Sequence, residues 1–209
     1  MLYNVLKASK EKCMSLKKKV QELKRDMILK EASKLFQNEG YENMKVADLA
    51  ANVGVSVGSI YTLFGSKENL YNNYILDQID YYLDILENEI KDIDDPHERL
   101  KILTKIKFQA FLSHKNVLHI GINHPLFYIN TYNFTDEDDV MMNVYTFISD
   151  NIMQPLKEKI TTSKSSLEMT LLYDSISTAM VKHWVIVNDD LMQKSDELFE
   201  SFLLLVENR

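Results

Sequence analysis

One stretch of 25 residues, from Val46 to Leu70, constrains the fold of this chain more than any other part of it. Apolar residues recur there at the spacing of a helix that buries one face, and Gly54 follows where a helix can end in a left-handed conformation. Ser56 then stands at the N-cap position of a second, very short helix, and Ser66 can cap a third helix that opens on Lys67. Two helices joined by a short turn that contains glycine form a helix-turn-helix, whose second helix enters the major groove of DNA. The pattern therefore predicts a DNA-binding domain.

Eight residues at fixed spacing make this interpretation more specific: Ala50, Gly54, Val55, Ser56, Tyr61, Phe64, Lys67 and Leu70. The TetR (tetracycline-repressor-like) family shows these residue types at the same spacing, and the chain resembles that family over about Met27 to Tyr74. The helix before them fits as well, because its apolar face is closed by Gly40 and Tyr41. The resemblance implies an all-α protein. Its N-terminal three-helix helix-turn-helix domain would be followed by a helical ligand-binding and dimerisation domain.

The resemblance also implies which side chains contact DNA. Tyr61 and Lys67 match family positions that contact phosphate, and Thr62 falls where the family often reads a base edge. Val57 and Leu63 depart from the polar residues common at their positions, which indicates reliance on thymine methyl contacts and DNA shape. The full set of expected DNA-binding residues is Lys45, Ala47, Ser56, Val57, Ser59, Tyr61, Thr62, Leu63 and Lys67.

The distribution of charge supports DNA binding, although the net charge of -7 by itself argues against it. Residues 1–76 hold 12 basic and 8 acidic side chains, whereas residues 77–209 hold 12 basic and 23 acidic ones. A basic first third and an acidic remainder suit a protein that touches phosphates with one part only.

Composition narrows the class of protein further. Only 5 glycines and 3 prolines are present, so long helices are expected. The single cysteine, Cys13, excludes an intrachain disulfide framework and suits a reducing cytoplasm. No apolar run approaches the ~20 residues of a membrane span, and the N-terminus lacks the apolar centre of a secretory signal. These features predict a cytoplasmic protein without a membrane span.

Residues 1–24 form a patterned extension ahead of the resemblance. Its apolar seam, spaced by alternating steps of four and three, is Leu2, Leu6, Ser9, Cys13, Leu16, Val20, Leu23 and Met27. Basic residues stand between these positions and no proline or glycine interrupts, which predicts a helix continuous with the next one. Three interpretations stay open: the seam packs on another chain or on its own domain, the basic face contacts DNA phosphates, or the helix lies on a membrane surface. Met14 could also be the true start.

The predicted domains are 1–24 for the extension, 25–72 for the helix-turn-helix and 73–209 for effector binding and dimerisation. Asp95 with Pro96, and Ser165, should each begin a helix, and a helix that runs to about Lys159 should bend at Pro155. The last helix should present Leu198, Phe202 and Leu205 on one face. By resemblance, the last two helices form the homodimer. Candidate walls of an effector cavity are Phe108, Phe111, His114, Phe127, Tyr128, Tyr145 and Trp184.

The residues argue against an enzyme. No histidine has glutamate three residues before it, no glycine-rich phosphate loop is present, and no metal site or cofactor is indicated. By resemblance, the expected function is therefore a ligand-responsive regulator, a repressor that binds a palindromic operator as a dimer and is released by an apolar small molecule. The alternative is a dimeric DNA-binding regulator or adaptor without an effector.

Overall fold

The computed structural model describes residues 16–114 and 140–207, and every regular element in them is a helix. The helices are α1 (Leu16–Asn43), α2 (Val46–Val53), α3 (Val57–Phe64), α4 (Lys67–Ile90), α5 (Pro96–Ser113), α6 (Val140–Ile148), α7 (Gln154–Lys157), α8 (Ser166–Val187) and α9 (Ser195–Val206). A π-helical turn (Ser149–Met153) joins α6 to α7, and a 3₁₀ turn (Met192–Lys194) precedes α9. The chain divides into two compact units, with the boundary between Tyr74 and Ile75.

The first unit is built on α1, which runs from residue 16 past residue 25 without a break, as the extension pattern predicts. Its one non-helical residue is Gly40, at φ 75° and ψ 171°. Ile28, Ala32 and Phe36, spaced by four residues, are fully buried on one face. They form the side of the domain core on which α2 packs, and α3 packs against α2 in turn.

A group of aromatic rings joins α1 to the first turns of α4. Phe36 meets Tyr71 edge-on at 5.1 Å and Tyr74 at 5.4 Å between ring centroids. Tyr41 meets Tyr71 at 5.0 Å. Such aromatic pairs contribute stability beyond the burial of their area and fix the orientation of α1 relative to α4. The start of α4 is therefore held firmly within the first unit.

The second unit has its own core, formed by α4 from Leu86 onwards and the helices after it. Its largest fully buried side chains include Phe108, Tyr173, Trp184 and Phe202. The two predicted helix starts are present. The Asp95 carboxylate accepts the N–H of His97, and Ser165 forms a capping box with Glu168.

Close to Pro155, where a bend is predicted, the helix changes its geometry. The departure from α geometry is the π-helical turn immediately before α7, and Pro155 lies in the first turn of α7. Proline has no N–H to donate to the carbonyl of Asn151, four residues earlier. Arg99 Nη1 donates to that carbonyl instead, at 2.7 Å.

One prediction about α9 is wrong. Leu198 and Phe202 are fully buried, but the third core residue is Val206, and Leu205 is 47% exposed. The buried positions follow a repeat of four residues along this short helix, which turns Leu205 outwards.

Within the described ranges, no single helix is long and apolar enough to cross a membrane. Only α2 and α3 together pass that test of length and composition, and a bend of 105° separates them.

Candidate DNA-binding surface

The turn between α2 and α3 depends on Gly54. Its φ of 73° and ψ of 35° lie in the left-handed region, where side chains are disfavoured. This conformation lets the N–H of Val55 bond back to the carbonyl of Ala50 at 3.0 Å and ends α2. The bend of 105° that results lies in the range of helix-turn-helix motifs.

The helix after the turn, α3, has only eight residues and depends on packing for its stability. Its two buried side chains are Ile60 and Phe64, four residues apart. At its N-terminus the Ser56 hydroxyl oxygen accepts the N–H of Ser59 at 3.1 Å, and the two hydroxyls lie 2.9 Å apart. The cap and the two anchors fix which face of α3 points outwards.

That outer face carries the side chains expected to meet DNA. Val57, Tyr61 and Thr62 are exposed, while Ser59 and Leu63 are half-buried. The Thr62 hydroxyl donates to the carbonyl of Gly58 at 2.8 Å. Its proton is therefore used within the helix, and the side chain offers an acceptor oxygen and a methyl group outwards.

Arg25, which sequence reasoning did not select, ties α1 to the end of α3. Its Nη1 donates to the carbonyl of Leu63 at 3.5 Å and its Nη2 donates to Asn73 Oδ1. The guanidinium carbon lies 4.8 Å from the centre of the Phe64 ring. These contacts join α1, α3 and α4 at one residue, and only the long-range geometry reveals them.

Lys67 is half-buried, and its ammonium group already has partners. Nζ donates to the carbonyl of Glu42 at 3.2 Å and lies 4.7 Å from the centre of the Tyr41 ring. Burial raises the pKa of Tyr41, and the nearby carboxylates of Glu68 and Glu42 raise it further. The ring therefore stays a neutral phenol under the lysine.

The remaining expected contacts lie at the start of α2. Lys45 holds the N-cap position in extended conformation, and its side chain makes no capping hydrogen bond. It and Ala47 are both exposed. The structure thus brings all nine expected residues into the segment formed by α2, α3 and the start of α4.

Gly58 is a second residue that sequence reasoning missed. It is exposed in the first turn of α3, and its φ is not positive. A Cβ atom built there would have Ser56 Oγ as its nearest neighbour, at 3.8 Å, which is an ordinary contact. Nothing in the described unit requires glycine at this position, although glycine lowers helix stability.

The candidate effector residues lie in the second unit, apart from Phe127 and Tyr128, which fall outside the described residues. Phe108, Tyr145 and Trp184 are buried and Phe111 is half-buried. At the end of α5, His114 Nδ1 lies 2.7 Å from the carbonyl of Ala110 and Nε2 lies 3.1 Å from Gln78 Oε1.

A polar network that the sequence pattern did not predict crosses this apolar unit. The Lys107 ammonium group contacts Asp174 Oδ1 and Ser177 Oγ, each at 2.7 Å. The Tyr145 hydroxyl donates to the other carboxylate oxygen of Asp174 at 3.1 Å. The network connects α5, α6 and α8 and keeps an otherwise isolated charge paired.

Comparison with known proteins agrees with this geometry. Residues 28–74 match the model of a family described as bacterial regulatory proteins, tetR family. The HTH-type transcriptional regulator YerO of Bacillus subtilis is 30% identical over 101 residues, which cover 46% of this chain and 34% of the relative. SAR2658 of Staphylococcus aureus, also an HTH-type transcriptional regulator, is 25% identical over 150 residues, covering 65% of this chain and 79% of the relative.

Solved structures extend the likeness in fold to most of the chain. The transcriptional regulator FadR from Bacillus subtilis, solved in complex with stearoyl-CoA, has a TM-score of 0.67 at 19% identity. The match covers 84% of this chain and 96% of that one. By sequence, the chain spans about a third of the length of the first curated relatives it matches. Residues 28–74 therefore form a helix-turn-helix domain of the tetR family of bacterial regulatory proteins.

Proposed function

We propose that this chain regulates transcription by binding, as a homodimer, an operator with two-fold symmetry. The observation that carries the proposal is α3 itself, a capped and anchored helix whose outer face is exposed on a tetR-family domain. One helix of eight residues reads only a few base pairs. Two copies about one DNA turn apart would supply the remaining recognition. Such a regulator would act in the cytoplasm.

The proposed DNA contacts are the nine residues named from the sequence, with Tyr61 as the most informative one to test. It is 44% exposed on α3, so removal of its ring should not disturb the core. Tyr81 on α4 is a matched control, because it is also an exposed tyrosine in a helix and lies in the other unit.

The first experiment enriches bound duplexes from a randomised DNA library and then measures affinity for the enriched sequence. We expect an enriched site with two-fold symmetry. Tyr61→Ala should weaken binding about tenfold, or about 1.4 kcal/mol, while Tyr81→Ala binds like the wild type. Failure of the wild type to enrich any sequence would overturn the proposed function.

The proposed dimer forms through α8 and α9. Exposed residues that are apolar or small follow one side of α8 at helical spacing: Leu171, Ser175, Ala179 and Ile186. Ile186 is 78% exposed, and Leu205 on α9 adds a further apolar side chain. Burying such a face against a second copy removes apolar surface from water.

Sedimentation of the purified chain tests this interface. The wild type should sediment as a dimer, and Leu171→Glu with Ile186→Glu should give a folded monomer, because the dimer would bury four carboxylates. Tyr81→Glu, a change of the same kind in an exposed position of α4, should leave the dimer intact. A monomeric wild type would contradict the interface.

We also propose that the second unit binds an apolar effector of the acyl class, and that binding releases the protein from DNA as in a repressor. Two observations support this: the apolar, aromatic second unit, and the likeness to a regulator solved with stearoyl-CoA. A ligand that binds one conformation better than the other shifts the equilibrium between them.

Thermal denaturation with stearoyl-CoA, and with CoA alone as control, tests the effector. Stabilisation by stearoyl-CoA that grows with its concentration, together with loss of DNA binding, would support the proposal. No stabilisation by a series of acyl-CoA chain lengths would favour the alternative, a dimeric DNA-binding regulator without a small-molecule effector.

A further inference from the structure

The helical extension ahead of Arg25 carries an unusual face. Successive residues of an α-helix are separated by 100°, so positions three, four and seven apart share a side. The side of α1 that buries Ile28, Ala32 and Phe36 therefore continues upstream through Arg25 and Gln21 to Lys18. Gln21 and Lys18 are exposed there. The side of α1 that faces the core therefore becomes polar and basic upstream of the point where the domain core ends.

Arg25 sets where this face points. Its guanidinium group contacts the carbonyl of Leu63 and the ring of Phe64, both in the last turn of α3. Lys18 lies two helical turns, about 10 Å, upstream of Arg25 on the same side. The half-buried Lys24 borders this side. The extension thus carries positive charge alongside the helix proposed to enter the major groove.

The extension also carries an exposed apolar stripe, and the charges beside that stripe indicate which partner could cover it. Val20, Leu23 and Met27 are 57%, 64% and 60% exposed, and they form a stripe that points away from the domain core. Lys19 and Lys24 border the stripe on its two sides. Two copies of the helix packed stripe to stripe would bring these lysines together, which opposes self-pairing and favours an anionic surface.

We propose that Lys18 and Lys24 extend the DNA-contact surface to backbone phosphates beside each half-site. The inference rests on the proposed function and adds a second, sequence-independent contact element to it. Phosphate contacts position a protein on the duplex and make its affinity depend on salt, but they carry no base preference. The extension should therefore set affinity and leave operator choice to α3.

The test measures DNA affinity against salt concentration for two charge-matched double variants. Lys18→Gln with Lys24→Gln removes the proposed contacts, and Lys30→Gln with Lys34→Gln removes two exposed lysines from the opposite side of α1. Each lost phosphate contact lowers the slope of log affinity against log salt by about 0.9, so the first pair should lower it by about 3.6 per dimer. The second pair should change it by less than about 1.

Further measurements separate the possible outcomes. Lys18→Arg with Lys24→Arg should keep the wild-type slope, and all variants should keep the wild-type urea midpoint and base preference. An unchanged slope in the first pair, or equal losses in both pairs, overturns the inference while the proposed function stands. A wild type that binds no duplex overturns both.

A membrane surface is the competing anionic partner. Vesicles of phosphatidylcholine with about 30% phosphatidylserine should not sediment with the wild-type protein. Sedimentation that is lost in Lys18→Gln with Lys24→Gln, together with an unchanged DNA salt slope, would assign the basic face to lipid and overturn the inference.

Discussion

Replacing Gly58 with alanine should stabilise the DNA-binding unit and weaken its binding to DNA. Gly58 is exposed on α3, and a new Cβ atom would meet no protein atom closer than 3.8 Å. Because the folded unit does not require glycine there, we infer that a bound partner does. A DNA backbone or base edge that approaches α3 closely would impose that requirement.

The two effects have different sizes and opposite signs. Alanine is favoured over glycine by about 0.8–1.0 kcal/mol in a helix interior. Gly58 lies in the first turn of α3, where the helix is least complete, so we expect a gain of about 0.5 kcal/mol in the free energy of unfolding. In the complex, a methyl group in a tight contact should cost at least about 1.4 kcal/mol, which is tenfold in affinity.

Urea denaturation and titration of the enriched operator measure the two effects on the same samples. Asn38→Ala is the control, because Asn38 is exposed on the outer side of α1 and the change also favours helix. It should raise stability and leave affinity unchanged. Wild-type affinity in Gly58→Ala would refute the close approach, and a loss of stability would refute the claim that the unit has room for the methyl group.

Three further predictions follow from particular contacts. Gly54→Ala should lower the free energy of unfolding by about 1–2 kcal/mol from backbone strain alone. Gly65→Ala should lower it by more in urea denaturation, because φ 79° and ψ -54° at Gly65 lie outside the left-handed helical region and a new Cβ atom would lie 3.3 Å from a side-chain amide. Asp174→Ala should lower the free energy of unfolding by about 2 kcal/mol, because it leaves the Lys107 ammonium group without its carboxylate. In a double-mutant cycle, adding Lys107→Met should recover much of that loss. Hydrogen bonds from the backbone and hydroxyl of the N-cap serine hold the pKa of Glu168 below its ordinary value. The contribution of Glu168 to stability is therefore present above its unfolded-state pKa and is lost as pH falls through the lower folded-state pKa. Glu168→Gln should lower the urea midpoint at neutral pH and match the wild type at the acid end.

The helices of the first unit could be predicted from sequence because their signals are local. Gly54, Ser56 and Ser66 each act on backbone groups within a few residues of themselves, and the structure places helix ends at all three. The capping box at Ser165 follows the same rule. Start and stop signals of this kind need no knowledge of the tertiary fold.

The contacts that the sequence did not reveal join residues far apart in the chain. Lys107 pairs with Asp174 across 67 positions, and Arg25 reaches Leu63 across 38. Periodicity identifies which side of a helix is apolar, but not which partner a charged side chain meets on another helix. Gly58 was missed for a related reason, because its room for a side chain is known only once the surrounding atoms are placed.

The chemistry of α3 determines how the affinity for DNA should be divided between base and phosphate contacts. Among its eight residues, Val57–Phe64, there is no arginine, lysine, asparagine or glutamine, the side chains that make bidentate contacts with guanine or adenine. Thr62 offers a single acceptor and a methyl group, so each half-site gains little discrimination from hydrogen bonds. Under the proposed function, specificity should then depend on thymine methyls, DNA shape and the presence of two half-sites, whereas phosphate contacts should supply most of the affinity. A DNA-binding helix of this composition needs a second copy for specificity and basic residues beside it for affinity. The proposed dimer face would supply the first and the lysines of α1 the second.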